Sequence, residues 1–266
     1  MHSLSPSPPD TTADDADQVW WLPARFAVPA LLSAAVFIVL LVLVALGWDP
    51  LFRADSQVAR DLHGWMEARP AVVDVTRFLT DWVWDPNAFR VLAAGLAAGL
   101  WAAGRRRTSV WVVTVMVIGG AAGGLCKLAV ARDRPTFADP IATAPGWSFP
   151  SGHALNGMLG CGVLLIGLWP LLPRRVRPVA VVVAVVSVLG VGFTRIALGV
   201  HYLSDVVAGW ALGVVVLAVF WVLVTALWDP LESAGAVPEE PDVEAEITSD
   251  ADTGIDVARP DGREPG

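Results

Sequence analysis

The sequence predicts an all-α, polytopic membrane protein with six transmembrane helices and an additional amphipathic helix in the membrane interface. Three observations support this fold class. Of the 266 residues, 55% are hydrophobic, and the mean hydropathy is +0.58, which is typical of membrane proteins rather than soluble domains. Uncharged apolar stretches recur at close to the ~20 residues that cross a bilayer. Tryptophans such as Trp48, Trp147 and Trp228 fall at the ends of these stretches, as in interfacial belts.

Six apolar stretches supply the predicted spans, which are 26–47, 91–104, 108–126, 154–173, 178–194 and 206–228. The stretch 91–104 is short and reaches the required length only if Arg90 extends its side chain to the headgroups. The first stretch is too long for a signal-peptide core, and no small-residue cleavage pattern follows it, so we expect it to be retained. The segment 71–84 is too charged to span, but its apolar residues recur at helical spacing, which predicts an interfacial helix.

Arginines set the predicted orientation. Arg105–Arg107 follow the second span, and Arg174, Arg175 and Arg177 lie between the fourth and fifth, so the positive-inside rule makes both loops cytoplasmic. An even number of spans then places both termini in the cytoplasm of a multi-pass plasma-membrane protein. The outer face receives the segments 48–90, 127–153 and 195–205.

The chain therefore divides into a disordered cytoplasmic N-terminus (1–25), a six-helix membrane domain (26–228) and an acidic, disordered cytoplasmic tail (229–266). The tail carries 12 acidic and 2 basic side chains, a charge of −10, which leaves +2 on the rest of a chain of net charge −8. Such segments cannot bury enough apolar surface to fold. Neither terminus indicates nucleic-acid binding. Cys126 and Cys161 lie in apolar stretches and indicate neither a disulfide framework nor a metal site.

Three polar clusters lie on the predicted outer face. The first is KLAVARDRP (127–135), in which Lys127, the only lysine of the chain, and Arg134 are seven residues apart. Both could point the same way if the helix continued that far, although Pro135 favours a loop at Arg134. Taken alone, this pair fits ordinary cations that extend to the headgroups.

The second cluster is PSGH (150–153). Ser151 is a good helix N-cap, Gly152 permits close backbone approach, and the free amides of a helix start bind anions. His153 would then lie in the first helical turn, although a capped helix start with an incidental histidine explains these four residues equally well.

The third cluster is TRIALGVHYLSD (194–205). His201 and Asp205 are four residues apart, so in a helix the carboxylate could accept the Nδ1 proton and leave Nε2 free as a nucleophile. Arg195 adds a forked donor suited to phosphate oxygens. A structural His–Asp pair would leave Arg195 unexplained.

Together the clusters predict a site that holds a phosphoryl group electrostatically and attacks it with nitrogen. No carboxylate cluster suited to Mg²⁺ is present in the sequence, so we expect a metal-independent reaction without a cofactor. The spacing and order of the motifs resemble those of the type 2 phosphatidic acid phosphatase (PAP2) family over about residues 26–228. One position departs from the family pattern, because Thr194 stands where the family usually has Ser, which keeps the hydroxyl.

The resemblance implies a membrane lipid phosphatase that works through a phosphohistidine intermediate. By position, His201 would be the nucleophile, Asp205 its orienting partner, and His153 the acid and then the base. The residues implied to hold the phosphate are Lys127, Arg134, Ser151, Gly152 and Arg195. Implied substrates are undecaprenyl diphosphate, phosphatidic acid, phosphatidylglycerol phosphate and other prenyl phosphates, with membrane lipids as surroundings.

Other functions are compatible with parts of this pattern. A transporter or flippase could bind a lipid phosphate without hydrolysis, but such proteins usually have broken helices and inverted repeats, and they would not need the His201–Asp205 pair. The same family pattern occurs in soluble vanadium-dependent haloperoxidases, which six spans and a short chain disfavour. A structural protein that has lost activity has no support, since all the signature residues are present.

Overall fold

A computed structural model describes residues 22–235, with side chains described for 27–228. The elements are helices α1 (Leu22–Ala45), α2 (Asp49–Glu67), α3 (Pro70–Phe78) with a π-helical turn (Leu79–Val83), α4 (Pro86–Ala102), α5 (Arg106–Val130), α6 (Gly152–Leu168) with a 3₁₀ turn (Trp169–Leu171), α7 (Arg177–Ala197) and α8 (Leu203–Gly235). No strand occurs within this described part, so the prediction of an all-α fold is confirmed.

Five of these helices are long and apolar enough to cross a membrane, counted over the residues that the structure describes: α1, α5, α6 with its 3₁₀ turn, α7 and α8. The predicted span at 91–104 falls on α4, which has 17 residues. At 1.5 Å per residue α4 is about 25 Å long, shorter than the ~30 Å hydrocarbon core. The sixth span therefore stays a prediction.

Local sequence signals explain several helix starts. Proline occupies the first turn of α2, α3, α4 and α7, where its missing N–H costs no hydrogen bond. Asp85 caps α4 by accepting a hydrogen bond from the Asn87 amide at 2.7 Å. Helix α5 ends at Val130, and its C-cap Ala131 has a left-handed φ of 49°. The chain therefore leaves the helix before Arg134, and the helix does not continue for the two turns that would have aligned Arg134 with Lys127.

The largest cluster of buried apolar residues lies between α4, α5, α6 and the middle of α8. Trp111 and Val115 of α5 pack there with Leu155, Leu159 and Val163 of α6. Gly119 and Gly123 let α6 approach α5, because a Cβ at either glycine would collide with Leu159 or Leu155. The small-residue spacing at Gly95 and Gly99 of α4 has no such contact.

The segment predicted as an interfacial helix is helical, as α3 and its π-helical turn. Val75, Phe78 and Trp82 are exposed on it, and its interfacial position stays a prediction. Helix α2 was not predicted, since 48–90 was expected to be an outer loop carrying one helix.

Contacts divide the chain into units Met1–Leu227 and Trp228–Gly266. In the second unit the described part is helical backbone to Gly235, past the predicted boundary at 228. The remainder of the predicted disordered tail, and residues 1–21 of the predicted disordered N-terminus, lie outside the described residues.

Candidate active site

The candidate site is built where four helices end. Helices α5 and α7 finish there with Lys127 and Arg195 in their last turns, and α6 and α8 begin there with Ser151 as N-cap and Asp205 in the first turn. The starts of α6 and α8 are joined by a direct hydrogen bond, which the Ser151 amide donates to the Asp205 carbonyl at 2.9 Å. Two helix N-termini and two cationic last turns therefore share one region.

His201 and Asp205 form a buried pair. His201 is 2% exposed and Asp205 is fully buried, and His201 Nδ1 lies 3.3 Å from Asp205 Oδ2. The pair does not form within a continuous helix, because α8 begins only at Leu203. Asp205 instead closes the turn before α8 by accepting a hydrogen bond from the Tyr202 amide at 3.0 Å.

Arg134 fixes the tautomer of His201. Its Nη1 lies 3.1 Å from His201 Nε2, and a guanidinium can only donate. His201 Nε2 must therefore accept, so the ring proton is on Nδ1 and faces Asp205. Burial lowers the pKa of His201 to about 4, against the opposing effect of the Asp205 hydrogen bond and with a further lowering by Arg134 and Arg195. A neutral imidazole with its Nε2 lone pair beside cations is the form present at neutral pH.

The loop 145–148 holds two of the cations. Lys127 Nζ donates to the Trp147 carbonyl at 2.7 Å and to the Ser148 carbonyl at 3.3 Å. Arg134 donates from Nε to the Gly146 carbonyl and from Nη2 to the Pro145 carbonyl, both at 2.9 Å. No pattern in the sequence indicates these contacts, which fix both cations through one stretch of backbone.

The PSGH segment starts α6 beside Lys127. Ser151 is fully buried and caps the helix by accepting a hydrogen bond from the Ala154 amide at 3.4 Å. A Cβ on Gly152 would lie 3.8 Å from Lys127 Cε, so the lysine side chain passes the helix start. The amides of this N-terminus are suited to an anion.

Arg195 reaches the region from α7. It is 7% exposed, and its Nη1 donates to the hydroxyl of Thr80 at 3.2 Å. Thr80 belongs to the π-helical turn and also contacts the Thr194 hydroxyl at 3.3 Å, so that turn supports the guanidinium. Arg195 Nε has no hydrogen-bond partner among the described residues.

His153 joins the three sequence clusters. This half-buried ring lies in the first turn of α6, within electrostatic range of four other residues of the candidate site: Arg195, His201, Arg134 and Lys127. The structure therefore brings together residues that are up to 78 positions apart in the chain (127 to 205).

Three residues of the site were missed by the sequence reasoning. Arg132 donates to Asp205 Oδ1 at 2.6 Å and to Asp55 Oδ2 at 2.8 Å, and Ser204 bonds to both Arg132 and Asp55. Arg132 stands within the quoted KLAVARDRP stretch, but its spacing there matches no motif. Asp55 lies in the unpredicted helix α2, so no signal in the sequence paired it with the site.

The sequence of this chain is similar to those of several known proteins. The sequence model described as the PAP2 superfamily matches residues 108–229. Over 87 residues the chain is 38% identical to phosphatidylglycerophosphatase B of Bacillus subtilis, covering 32% of this chain and 42% of that protein. Over 113 residues it is 33% identical to undecaprenyl-diphosphatase of Sulfolobus acidocaldarius (41% and 51% covered) and to lipid A 1-phosphatase of Rhizobium etli (39% and 44% covered). The chain thus spans about half the length of these relatives.

The fold has a solved counterpart. The crystal structure of a transmembrane PAP2 type phosphatidylglycerolphosphate phosphatase from Bacillus subtilis superposes with a TM-score of 0.63 and 24% identity, covering 74% of this chain and 96% of that chain. That similarity concerns the fold, while the sequence match contains all three clusters from Lys127 to Asp205. Residues 108–229 of this chain are therefore similar in sequence to the PAP2 superfamily.

Proposed function

We propose that this protein is an integral-membrane, metal-independent phosphatase that hydrolyses a lipid phosphate monoester or diphosphate through a phosphohistidine at His201. One observation carries the proposal. His201 is held at Nδ1 by Asp205 and at Nε2 by Arg134, so the atom suited to attack is unprotonated and lies beside a cation that binds phosphate. The activities for which the relatives are named support phosphatidylglycerol phosphate, undecaprenyl diphosphate and lipid A 1-phosphate as substrate classes, and phosphatidic acid belongs to the same chemistry.

In the first step the substrate phosphoryl group would take the place of His201 as the partner of Arg134 Nη1. The Nε2 lone pair then attacks phosphorus, and the bond from phosphorus to the leaving oxygen breaks. His153, which takes up a proton as the anionic phosphoryl group binds beside it, gives this proton to that oxygen. The phosphorylated imidazole keeps its Nδ1 proton and carries a positive charge, which Asp205 stabilises. Lys127, Arg134 and Arg195 balance the charge on the phosphoryl oxygens.

In the second step water hydrolyses the phosphohistidine. His153, now neutral, accepts a proton from the water molecule while the water oxygen attacks phosphorus. The phosphorus–nitrogen bond breaks, and its electron pair returns to His201 Nε2. One water molecule is consumed, and the products are inorganic phosphate and a lipid alcohol, or a lipid monophosphate when the substrate is a diphosphate. His153 ends protonated and loses this proton as phosphate leaves, so the cycle closes.

We also propose that this chemistry occurs at the outer face of the plasma membrane, with both termini in the cytoplasm. The arginine-rich segment before α5 and that before α7 lie at the opposite helix ends from the site, and the positive-inside rule favours the cytoplasm for such loops. The polar part of the substrate would then enter from the outer headgroup layer.

Phosphate release from a panel of lipid phosphates and diphosphates tests this function. Detergent-solubilised protein should release phosphate from at least one of them in excess EDTA, because three cations provide the charge stabilisation that Mg²⁺ provides elsewhere. Vanadate should inhibit, and His201→Ala should be inactive. Binding of the lipids without release by the wild-type protein would favour the transporter or flippase alternative, and activity lost with EDTA and restored by Mg²⁺ would overturn the metal-independent site.

A further inference from the structure

A buried ion network lies on the side of Asp205 that His201 does not occupy. Arg132 joins Asp205 of α8 to Asp55 of α2 through separate nitrogens, at 2.6 and 2.8 Å. Arg132, Asp55 and Asp205 are 5%, 3% and 0% exposed. The rings of Phe52 and Tyr202 lie 4.6 and 4.2 Å from the guanidinium carbon, so its faces contact aromatic carbon while its edge is hydrogen-bonded.

Ser204 completes the network. Its hydroxyl accepts a hydrogen bond from Arg132 Nη1 at 2.7 Å and is also bonded to Asp55 Oδ2. Its amide donates to Asp55 Oδ1 at 3.0 Å. Asp55 therefore binds the first turn of α8 as well as Arg132, and both of its oxygens have partners.

We propose that Asp55, Arg132 and Ser204 are positioning residues that hold Asp205 against His201 and leave the charge of Asp205 available to the imidazole. The catalytic consequence rests on the proposed function. Each oxygen of Asp205 is held, Oδ1 by Arg132 and Oδ2 by His201 and the Tyr202 amide. A carboxylate bound at both oxygens cannot rotate away from the Nδ1 proton.

The charges of the network explain why two carboxylates are needed. Arg132 alone would neutralise Asp205 and weaken its attraction for the imidazolium that forms on attack. With Asp55 present, the two carboxylates and one guanidinium carry a net charge of −1, which a positive His201 ring balances. The fork of Arg132 is required as well, because a lysine ammonium is a point charge that cannot present the same planar pair of donors.

The network predicts opposite changes in the pKa of His201 when its charges are removed one at a time. The charged groups near His201 from the surrounding elements are Asp205, Arg134, Arg195 and His153, and these stay in place. Asp55→Asn removes a negative charge and should lower the pKa of His201, whereas Arg132→Gln removes a positive charge and should raise it. Across a partly buried distance each change is roughly one pH unit.

The experiment is a histidine ¹⁵N-detected pH titration of the full-length protein in detergent micelles. The chain has four histidines, so loss of a signal in His201→Ala assigns His201. The titration midpoint of His201 should be lower in Asp55→Asn and higher in Arg132→Gln than in the wild type. Asp61→Asn and Arg60→Gln, which change the same charges at exposed positions of α2, should match the wild type.

Measurements of activity distinguish an effect on the position of Asp205 from an effect on the charge of the network. Arg132→Lys keeps the charge, so the His201 titration should stay near that of the wild type, while kcat should fall about 10-fold or more with little change in KM. Changes in the His201 titration in the same direction in Asp55→Asn and Arg132→Gln, or none, would overturn the proposal, as would full activity of Arg132→Lys. Asp55→Asn keeps the side-chain shape, so if Arg132→Gln does not fold, the His201 titration of Asp55→Asn alone tests the proposal. The spectrum needs no turnover, so opposite shifts without any phosphatase activity would contradict the proposed function alone.

Discussion

At the scale of single residues, His201 is defined by what touches its two ring nitrogens. Asp205 lies at Nδ1 and Arg134 at Nε2. The four-residue spacing of His201 and Asp205 predicted that they would meet, and they do, although through a turn rather than a helix. Arg132 and Arg134 look alike in the sequence, yet in the extended loop after α5 they reach opposite sides of the His201–Asp205 pair. No periodicity in the sequence distinguishes them.

The protonation of His201 predicts how activity depends on pH. In the proposed mechanism His201 attacks only when neutral, and burial lowers its pKa from 6.5 to about 4. Protonation is therefore delayed to lower pH, and at pH 5 about nine tenths of His201 should be neutral, against about 3% for an ordinary histidine. The acidic limb of kcat/KM should fall as pH decreases through about 4. A limb centred near 6.5 would show that another group, or an exposed His201, controls attack.

At the scale of elements, the site depends on helix ends that meet. The sequence predicted that α6 starts after Ser151, because serine caps and an apolar stretch follow, and the structure has this cap. Helix α2 was missed although Leu51, Leu62 and Met66 recur on one face at helical spacing. Hydrophobic periodicity does not indicate that Asp55 and His63 are buried on that same face. The partners of Asp55 lie 77 and 149 residues away, beyond any local pattern.

Gly209 offers a test of how closely α8 must approach the start of α6. A Cβ there would lie 2.7 Å from the Ser151 carbonyl oxygen and 3.1 Å from the Leu155 amide nitrogen, and backbone cannot yield as a side chain can. We expect Gly209→Ala to destabilise the protein by about 1–3 kcal/mol and to reduce activity about 10- to 100-fold by displacing the PSGH segment. Thermal unfolding and phosphate release measure the two effects.

The matched control is Gly95→Ala in α4, where a Cβ would meet nothing within 4 Å. Alanine is also the better helix former, so this variant should be at least as stable as the wild type and fully active. Equal behaviour of the two variants would mean that the contact between α8 and the start of α6 does not position the site.

At the scale of the whole molecule, the multi-pass arrangement can be predicted from the sequence alone. Long apolar stretches indicate membrane-spanning helices even when the contacts between those helices are unknown. The number of spans is harder to predict from the sequence, because α4 is about one helical turn too short to cross the hydrocarbon core. Helix packing brings together the three polar clusters, whose residues are up to 78 positions apart in the chain. The sequence indicates this only because successive spans cross the membrane in opposite directions and so place the clusters on one face.

The predicted topology can be tested in intact cells with an impermeant thiol reagent. Thr143 lies exposed in the loop before α6, and Ala103 lies exposed in the turn before α5. Thr143→Cys should react from outside and Ala103→Cys should not, because the arginines beside Ala103 favour the cytoplasm. Cys126 and Cys161 lie within candidate spans and are replaced by alanine in the background. The reverse pattern of labelling would place the site on the cytoplasmic face.

In the proposed mechanism His201 carries the phosphoryl group and His153 moves the protons. These two roles are distinguished by trapping acid-labile, base-stable label from a ³²P-labelled substrate with a good leaving group. His153→Ala keeps the nucleophile and such a leaving group needs little protonation, so label should form and persist, because water lacks its base. His201→Ala should form none, and Asp205→Asn should form it more slowly, by about 10²- to 10⁴-fold. Label retained in His201→Ala and absent from His153→Ala would contradict the account and exchange the roles of the two histidines.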